Sequence, residues 1–148
     1  MKVAVLMGSP NDAEKMSGAS ETLERFGIEA DVRVLSAHRS PKEVAEFVSS
    51  ARADGYAAII AGAGMAAHLA GACAAHTTLP VVGVPLSGGA LNGVDALYAT
   101  VQMPLGIPVA TVAVDGSVNA ALLVVQMLAI TDEGLAEKLA EHRAQGAR

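Results

Sequence analysis

The amino-acid sequence predicts an α/β protein in which a parallel sheet is covered by helices on both faces. Short apolar runs alternate with stretches in which apolar residues recur at helical spacing. The apolar runs are nearly continuous and no hairpin turn signal joins two of them, as expected for buried parallel strands. No linker or low-complexity segment divides the 148 residues, so we expect one domain that spans residues 1–148.

Residues that are typical of helix ends bound the predicted helices. Asn11 or Asp12 can cap the first helix. Ser40 is the predicted N-cap of the second helix, with Pro41 at its first position and Glu43 completing a capping box. The predicted strands are 2–7, 30–35, 57–61, 81–84 and 109–114. Further helices are predicted to about residue 75, to residue 101, over 119–130 and, as a C-terminal extension, over 132–143.

Charge and hydrophobicity restrict the partners. The formal net charge of −5 disfavours a nucleic-acid surface, and an anionic ligand would need local cations or helix N-termini. The predicted helix 119–130 is apolar on nearly every face, which exceeds what one side of a sheet requires. Either the final helix or another subunit covers it, and we favour a homo-oligomer.

The sequence also indicates a compartment. Cys73 is the single cysteine, which excludes an internal disulfide and is typical of a reducing environment. Residues 57–75 contain His68 as their one polar side chain and superficially resemble a membrane span. Because Gly62-Ala63-Gly64 interrupts this stretch, a buried strand, a tight turn and a small-residue helix explain it better. We expect a soluble, cytoplasmic protein without a membrane segment.

Four loops follow strands of the predicted sheet and carry most of the unusual residues. They cover residues 8–12, 36–40, 62–64 and 85–93. Ligands of open parallel sheets bind beyond the carboxyl ends of the strands, where these loops meet. This coincidence predicts the location of an active site.

The loop 8–12 lies between a strand and a helix N-terminus, a place that favours an anion. It has neither the Walker spacing nor the dinucleotide-binding spacing. Ser9 can donate to a phosphate, and Asp12 can accept from ribose hydroxyls. The alternative is a capped turn without a ligand.

His38 and Arg39 are stronger candidates for chemistry. An imidazole titrates near neutrality, so His38 can accept and return a proton within one turnover. Arg39 can bind a phosphate through two hydrogen bonds. The alternative is a solvated polar loop.

The second histidine is harder to interpret. His68 alone is more typical of a buried structural histidine that bonds a carbonyl. A metal site from His68, Cys73 and His76 is conceivable, but no established zinc spacing is present, so we expect no metal. Cys73 is expected to lie in the core.

These segments, taken in chain order, resemble the PurE family of enzymes that carboxylate aminoimidazole ribonucleotide. Any one match is weak, whereas the whole order is highly specific. The matching segments are Met7-Gly8-Ser9 with Asp12, Ser36-Ala37-His38-Arg39-Ser40-Pro41, Gly62-Ala63-Gly64 with Ala66-Ala67-His68-Leu69, Leu79-Pro80-Val81-Val82-Gly83-Val84-Pro85, Gly93-Val94-Asp95, Val101-Gln102-Met103-Pro104 and Asn119-Ala120-Ala121-Leu122-Leu123.

The resemblance implies a flavodoxin-like, three-layer αβα sandwich and a homo-octamer with sites between subunits. It implies that His38 is the catalytic histidine and that no cofactor is needed. The substrate-binding residues it implies are Ser9, Asp12, Ser36, Arg39, Ala63, Gly64, His68 and Leu69. The departures from the family pattern are Asn11 for Ser, Ala13 for Trp, Met65 for Gly, Ala70 for Pro, and the loop Ser87-Gly88-Gly89.

The Ala-His-Leu form of the glycine loop is similar to the branch that isomerises the carbamate N5-carboxyaminoimidazole ribonucleotide to 4-carboxy-5-aminoimidazole ribonucleotide. The first alternative is the branch that carboxylates aminoimidazole ribonucleotide with CO2 directly. A flavodoxin-like FMN-binding module is disfavoured because only Tyr56 and Tyr98 and no Trp could stack on a flavin. A nucleotide-sensing paralogue without catalysis is the remaining alternative.

Overall fold

The computed structural model describes residues 1–147 and contains a five-stranded parallel sheet. The strand order is β2-β1-β3-β4-β5, which is the flavodoxin-like order. The strands are β1 (Lys2–Met7), β2 (Glu29–Val34), β3 (Tyr56–Gly64), β4 (Val81–Leu86) and β5 (Ala110–Thr111). The predicted α/β class and parallel sheet are therefore confirmed.

Helices cover both faces of this sheet, as predicted. One core joins α1, α5 and α6 to one sheet face, and a second core joins α2 and α3 to the other. The helices are α1 (Ala13–Arg25), α2 (Pro41–Ser50), α3 (Leu69–His76), α4 (Val94–Val101), α5 (Ser117–Leu128) and α6 (Glu133–Ala144). None of them, within residues 1–147, is long and apolar enough to cross a membrane.

The near-continuous apolarity of the strands follows from this burial. Val3 and Val5 of β1 enter the core under α1 and α5, while Ala4 and Leu6 enter the core under α2 and α3. Successive side chains of a strand point to opposite faces, so a strand with helices on both sides needs apolar residues at every position.

Two strands extend further than the sequence predicted. The segment Gly62-Ala63-Gly64, expected as a tight turn, forms the end of β3, where Ala63 pairs with Pro85 and Gly64 with Leu86. Pro85 has no N–H, but β5 pairs only with Val82 and Gly83. The Pro85 carbonyl accepts from the Asp115 N–H at 2.9 Å, on the side of β4 that β5 occupies further back. Because β5 does not extend as far as Pro85, no strand there requires the N–H that proline lacks.

The helix starts differ from the predicted caps. The Ser40 hydroxyl donates to the Ser36 carbonyl at 3.2 Å rather than capping α2, so the predicted capping box does not form. Asp12 precedes α1 without a side-chain cap bond. The serine at position 9 caps the short 3₁₀ turn Pro10–Asp12 instead, because its hydroxyl accepts from the Asn11 N–H at 3.3 Å.

The apolar helix α5 is covered in part by α6, one of the two covers predicted from sequence. Leu135 of α6 is buried in the core that contains α5. Large apolar side chains stay exposed nearby and elsewhere on the surface, among them Ile130, Tyr98 and Leu105. Intramolecular packing therefore accounts for only part of the surplus hydrophobicity.

Replacing Gly83 by Ala should destabilise the fold by about 1–3 kcal/mol, since overpacking a core costs that much. A Cβ at Gly83 would lie 2.3 Å from Thr100 Cγ2 and 3.1 Å from Ala70 Cβ. The control Gly134→Ala lies on the exposed side of α6, where the added Cβ meets only Asp132 Oδ1 at 3.4 Å. Urea unfolding should show a loss for the first variant and none for the second; equal stabilities would contradict this account of β4 packing.

Candidate active site

A cleft of about 560 Å³ lies beyond the carboxyl ends of the strands. The loops after β1, β2, β3 and β4 form its walls, as the sequence predicted for a parallel sheet. It brings together every site residue expected from sequence: Ser9, Asp12, Ser36, His38, Arg39, Ala63, Gly64, His68 and Leu69. The cleft is also lined by Ser87-Gly88-Gly89, from the predicted loop 85–93, and by Lys15, which the sequence analysis did not assign to the site.

The segment after β1 runs close to the end of β3. The Gly8 N–H donates to the Gly62 carbonyl at 3.2 Å, and the Asp12 N–H donates to the Ser9 carbonyl at 3.1 Å. Burial raises the pKa of the Asp12 carboxyl, an effect that a backbone hydrogen bond from Ser9 and the charge of Lys15 offset only in part. Asp12 is half-buried and lines the cleft, where its carboxylate oxygens can accept hydrogen bonds.

The two histidines of the cleft form a pair. His38 Nε2 lies 2.5 Å from His68 Nδ1, and the rings meet edge to face with centroids 4.7 Å apart. Such a hydrogen bond requires a proton on one nitrogen and a lone pair on the other. The close approach of the two nitrogens therefore requires that one imidazole donates and the other accepts.

The expectation that His68 is a buried structural histidine is wrong. His68 is exposed and bonds another imidazole rather than a carbonyl. The chain leaves β3 through Met65, whose φ of 51° lies in the left-handed region, and the neighbouring Ala67 takes the buried position. His68 consequently stands at the start of α3, facing the loop that carries His38.

Internal hydrogen bonds hold the loop after β2 in shape. Ser36 Oγ accepts from the Arg39 N–H at 3.3 Å, and the Ser36 carbonyl accepts from the Ser40 N–H at 2.9 Å. Within the described part of the chain, the Arg39 guanidinium has no hydrogen-bond or ion-pair partner. Its donors are therefore available to an anion, and arginine binds phosphate in a bidentate geometry.

In the wall formed by the segment after β4, hydrogen bonds link Ser87 to two charged side chains. Lys15 Nζ donates to the Ser87 carbonyl at 2.5 Å and to Ser87 Oγ at 2.8 Å. Ser87 in turn donates to Asp115, from its N–H at 2.9 Å and its hydroxyl at 2.5 Å. Lys15 follows Asp12 by three residues, so helical spacing could have placed it beside the cleft; no local signal indicates Asp115.

The remaining metal candidates do not assemble. Burial raises the pKa of the Cys73 thiol to about 12, and Cys73 lies in the core, as predicted. Among residues 1–147, no group of three or more metal-ligating His, Cys, Asp or Glu side chains is present.

The fold and this cleft define a class of protein: a flavodoxin-like α/β protein with a polar, histidine-bearing ligand cleft at the carboxyl edge of its sheet. Residues 2–148 match the family described as AIR carboxylase, and the chain belongs to that family. The predicted family, fold class and enzyme class are confirmed by these matches and the relatives below.

Similar proteins support the assignment over nearly the whole chain. The chain is 53% identical to the N5-carboxyaminoimidazole ribonucleotide mutase of Brucella melitensis biotype 1, over 95% of this chain and 88% of that protein. It is 52% identical to the mutase of Saccharolobus solfataricus, over 93% and 87% of the two chains. The crystal structure of Treponema denticola PurE superposes with a TM-score of 0.89 at 28% identity, covering 99% and 91%.

Replacing Asp115 by Asn should reduce stability at neutral pH and have less effect in acid. Burial raises the pKa of Asp115, but hydrogen bonds from Ser87 and the charge of Lys15 outweigh it, so the folded-state pKa lies below 3.8. A depressed pKa contributes stability that is complete above 3.8 and is lost as pH falls through the lower folded value. Urea unfolding of both proteins across this range measures the effect, and a pH-independent difference would contradict it.

Proposed function

We propose that this protein isomerises N5-carboxyaminoimidazole ribonucleotide to 4-carboxy-5-aminoimidazole ribonucleotide, a step of purine biosynthesis. The observation that carries the proposal is the His38–His68 pair, which stands in one cleft with Arg39 and Ser9. The names of the two relatives that share about half of the residues support the same reaction.

The proposed binding mode divides the cleft by charge. Arg39, whose guanidinium donors are available, and Ser9 bind the phosphate of the ribonucleotide. Asp12, which lines the same cleft, accepts from the ribose hydroxyls. Ser36 holds the loop that carries Arg39 through two hydrogen bonds, and the small residues Ala63 and Gly64 let the heterocycle approach the backbone closely.

The proposed chemistry is a carboxylate migration through free CO2. The carbamate N–C bond breaks, which releases CO2, and His38 protonates the departing nitrogen. The resulting aminoimidazole is an enamine, so its ring carbon attacks CO2 and forms the new C–C bond. His38 then removes the proton from that carbon, which restores the aromatic ring. The cleft keeps CO2 beside the ring during the exchange.

His68 serves this cycle by orienting His38. Its Nδ1 lies 2.5 Å from His38 Nε2, so it fixes the ring and can share the proton that His38 receives. Leu69 follows at the buried N-terminus of α3 and fixes the position of His68. A general acid–base group held in place contributes about 10²–10⁴ in rate.

One assay distinguishes the mutase from two alternatives, a carboxylase that uses CO2 directly and a nucleotide sensor. The family description, AIR carboxylase, favours direct use of CO2 as the second candidate. Purified protein is mixed with the carbamate nucleotide, or with aminoimidazole ribonucleotide plus bicarbonate, without ATP or added metal. Product from the carbamate at the higher kcat/KM supports the mutase, whereas preference for bicarbonate supports the carboxylase. Nucleotide binding without any turnover would indicate a sensor.

The assembly is proposed to be a homo-octamer in the cytoplasm. Exposed apolar side chains on and after α4, namely Val94, Tyr98, Val101 and Leu105, support burial against further copies. Sedimentation at micromolar concentration measures the mass, and a monodisperse monomer would contradict the proposal.

Replacing His38 by Asn should lower kcat by about 10²-fold or more while nucleotide binding is kept, because the proton acceptor is lost. The control His76→Asn changes an exposed histidine at the end of α3, outside the cleft, and should leave kcat unchanged. Stopped-flow conversion of the carbamate measures both. A near-normal kcat for the His38 variant would remove His38 from its role.

Replacing Arg39 by Ala should raise KM for the ribonucleotide about tenfold or more with a smaller change in kcat, since a charged hydrogen bond to phosphate is lost. Arg52→Ala is the matched control, because Arg52 is exposed, does not line the cleft and donates to Thr78, which lies just before β4. Steady-state kinetics separate the two constants. An unchanged KM in the Arg39 variant would argue against a phosphate contact.

A further inference from the structure

The segment after β4 forms one wall of the cleft, yet it has little to hold it in place. Gly88 has nothing within 4 Å of the position a Cβ would occupy, and Gly89 adopts a φ of 62°. Within residues 87–92, the described hydrogen bonds to α1 and to the turn before α5 all belong to Ser87. The Leu91 carbonyl accepts from the Val94 N–H at 3.1 Å, at the start of α4. The first part of this wall is therefore held by Ser87 and its partners.

Ser87 is held from two sides by opposite charges. Lys15, on α1, donates to the carbonyl and the hydroxyl of Ser87. Asp115, in the turn before α5, accepts from the N–H and the hydroxyl of Ser87. Lys15 is fixed in turn, because its own carbonyl accepts from the Ser117 hydroxyl at 2.7 Å. Hydrogen bonds to charged groups are stronger than those between neutral groups, so removing either ion should release the segment.

We infer that Lys15 is a positioning residue of the reaction: it holds the Ser87-Gly88-Gly89 segment in place as a wall of the cleft, and this wall retains the CO2 intermediate. Lys15 does not need to touch the reacting atoms for this. If the segment opens, CO2 escapes before the ring carbon attacks it, and aminoimidazole ribonucleotide is released instead of product. The inference rests on the proposed function, because only a reaction through free CO2 can lose its intermediate in this way.

The lysine also balances the local charge. Asp12 and Asp115 are both close enough for the ammonium of Lys15 to favour their ionised forms. Replacing Lys15 by Met keeps a long aliphatic side chain and removes the charge and the donors. Replacing it by Arg keeps both, so partial rescue is expected.

The experiment compares the wild type with Lys15→Met, Lys15→Arg and the control Lys42→Met. Lys42 is an exposed lysine of α2 that does not line the cleft. Hydrogen exchange of the unliganded proteins is measured for residues 87–92 and, in the same run, for β1 and β3. Each protein then receives the carbamate nucleotide, and carboxylated product and released aminoimidazole ribonucleotide are quantified after subtraction of the enzyme-free decay.

In Lys15→Met, we expect the Ser87 amide, which donates to Asp115, to exchange about tenfold faster or more, with the sheet amides unchanged. The ratio of released aminoimidazole to product should rise by several-fold in this variant, return part of the way in Lys15→Arg and stay at the wild-type value in Lys42→Met. Unchanged sheet amides distinguish a loosened wall from a damaged fold.

Two results would overturn the inference. One is unaltered exchange at 87–92 in Lys15→Met, which would show that Lys15 does not hold the wall. The other is a loosened wall with the wild-type ratio of release to product, which would show that the wall does not retain the intermediate. If the wild type itself forms no product from the carbamate, the proposed function fails, and the exchange result alone still decides whether Lys15 holds the segment.

Discussion

Parallel pairing of the strands is the constraint on which the site depends. Met7 of β1 is level with Val34 of β2 and with Gly62 of β3, and Gly62 is in turn level with Val84 of β4. Parallel strands have all their carboxyl ends at one edge, so the segments that follow them converge there. Side chains of the candidate site that are far apart in sequence therefore meet at this edge.

The strand order explains which side chains meet. Because β1 lies between β2 and β3, the loops after β2 and β3 can meet across the carboxyl end of β1. His38 comes from the first of these loops and His68 from the second, and their rings are in contact. A pair of contacting imidazoles is thus built from two loops: a hydrogen bond to Ser36 holds the first, and the buried side chain of Leu69 anchors the second.

The far wall is built by a different principle. Its glycines allow close approach to a ligand but supply no packing of their own. Order comes from the two ions that hold Ser87, one from the start of α1 and one from the turn before α5. The cleft accordingly has two kinds of wall. The loops with the two histidines are held by local hydrogen bonds and packing, whereas the Ser87-Gly88-Gly89 segment is held by hydrogen bonds to two charged side chains. We expect a single substitution to loosen the second kind.

Local sequence determined the alternation of strands and helices, the parallel sheet and the loops that line the cleft, because apolar periodicity and glycine or proline punctuation act over neighbouring residues. Sequence also singled out His38 and Arg39. Tertiary structure alone decided that β3 continues through Gly64, since its last residues exist as strand only by pairing with β4. It likewise turned Ser40 away from its helix, exposed His68 to His38, and joined Lys15 to Asp115 through Ser87. Apart from the local bond of Ser40 to Ser36, each of these depends on a partner distant in the chain, and a hydrogen bond between distant residues leaves no periodic trace in either segment.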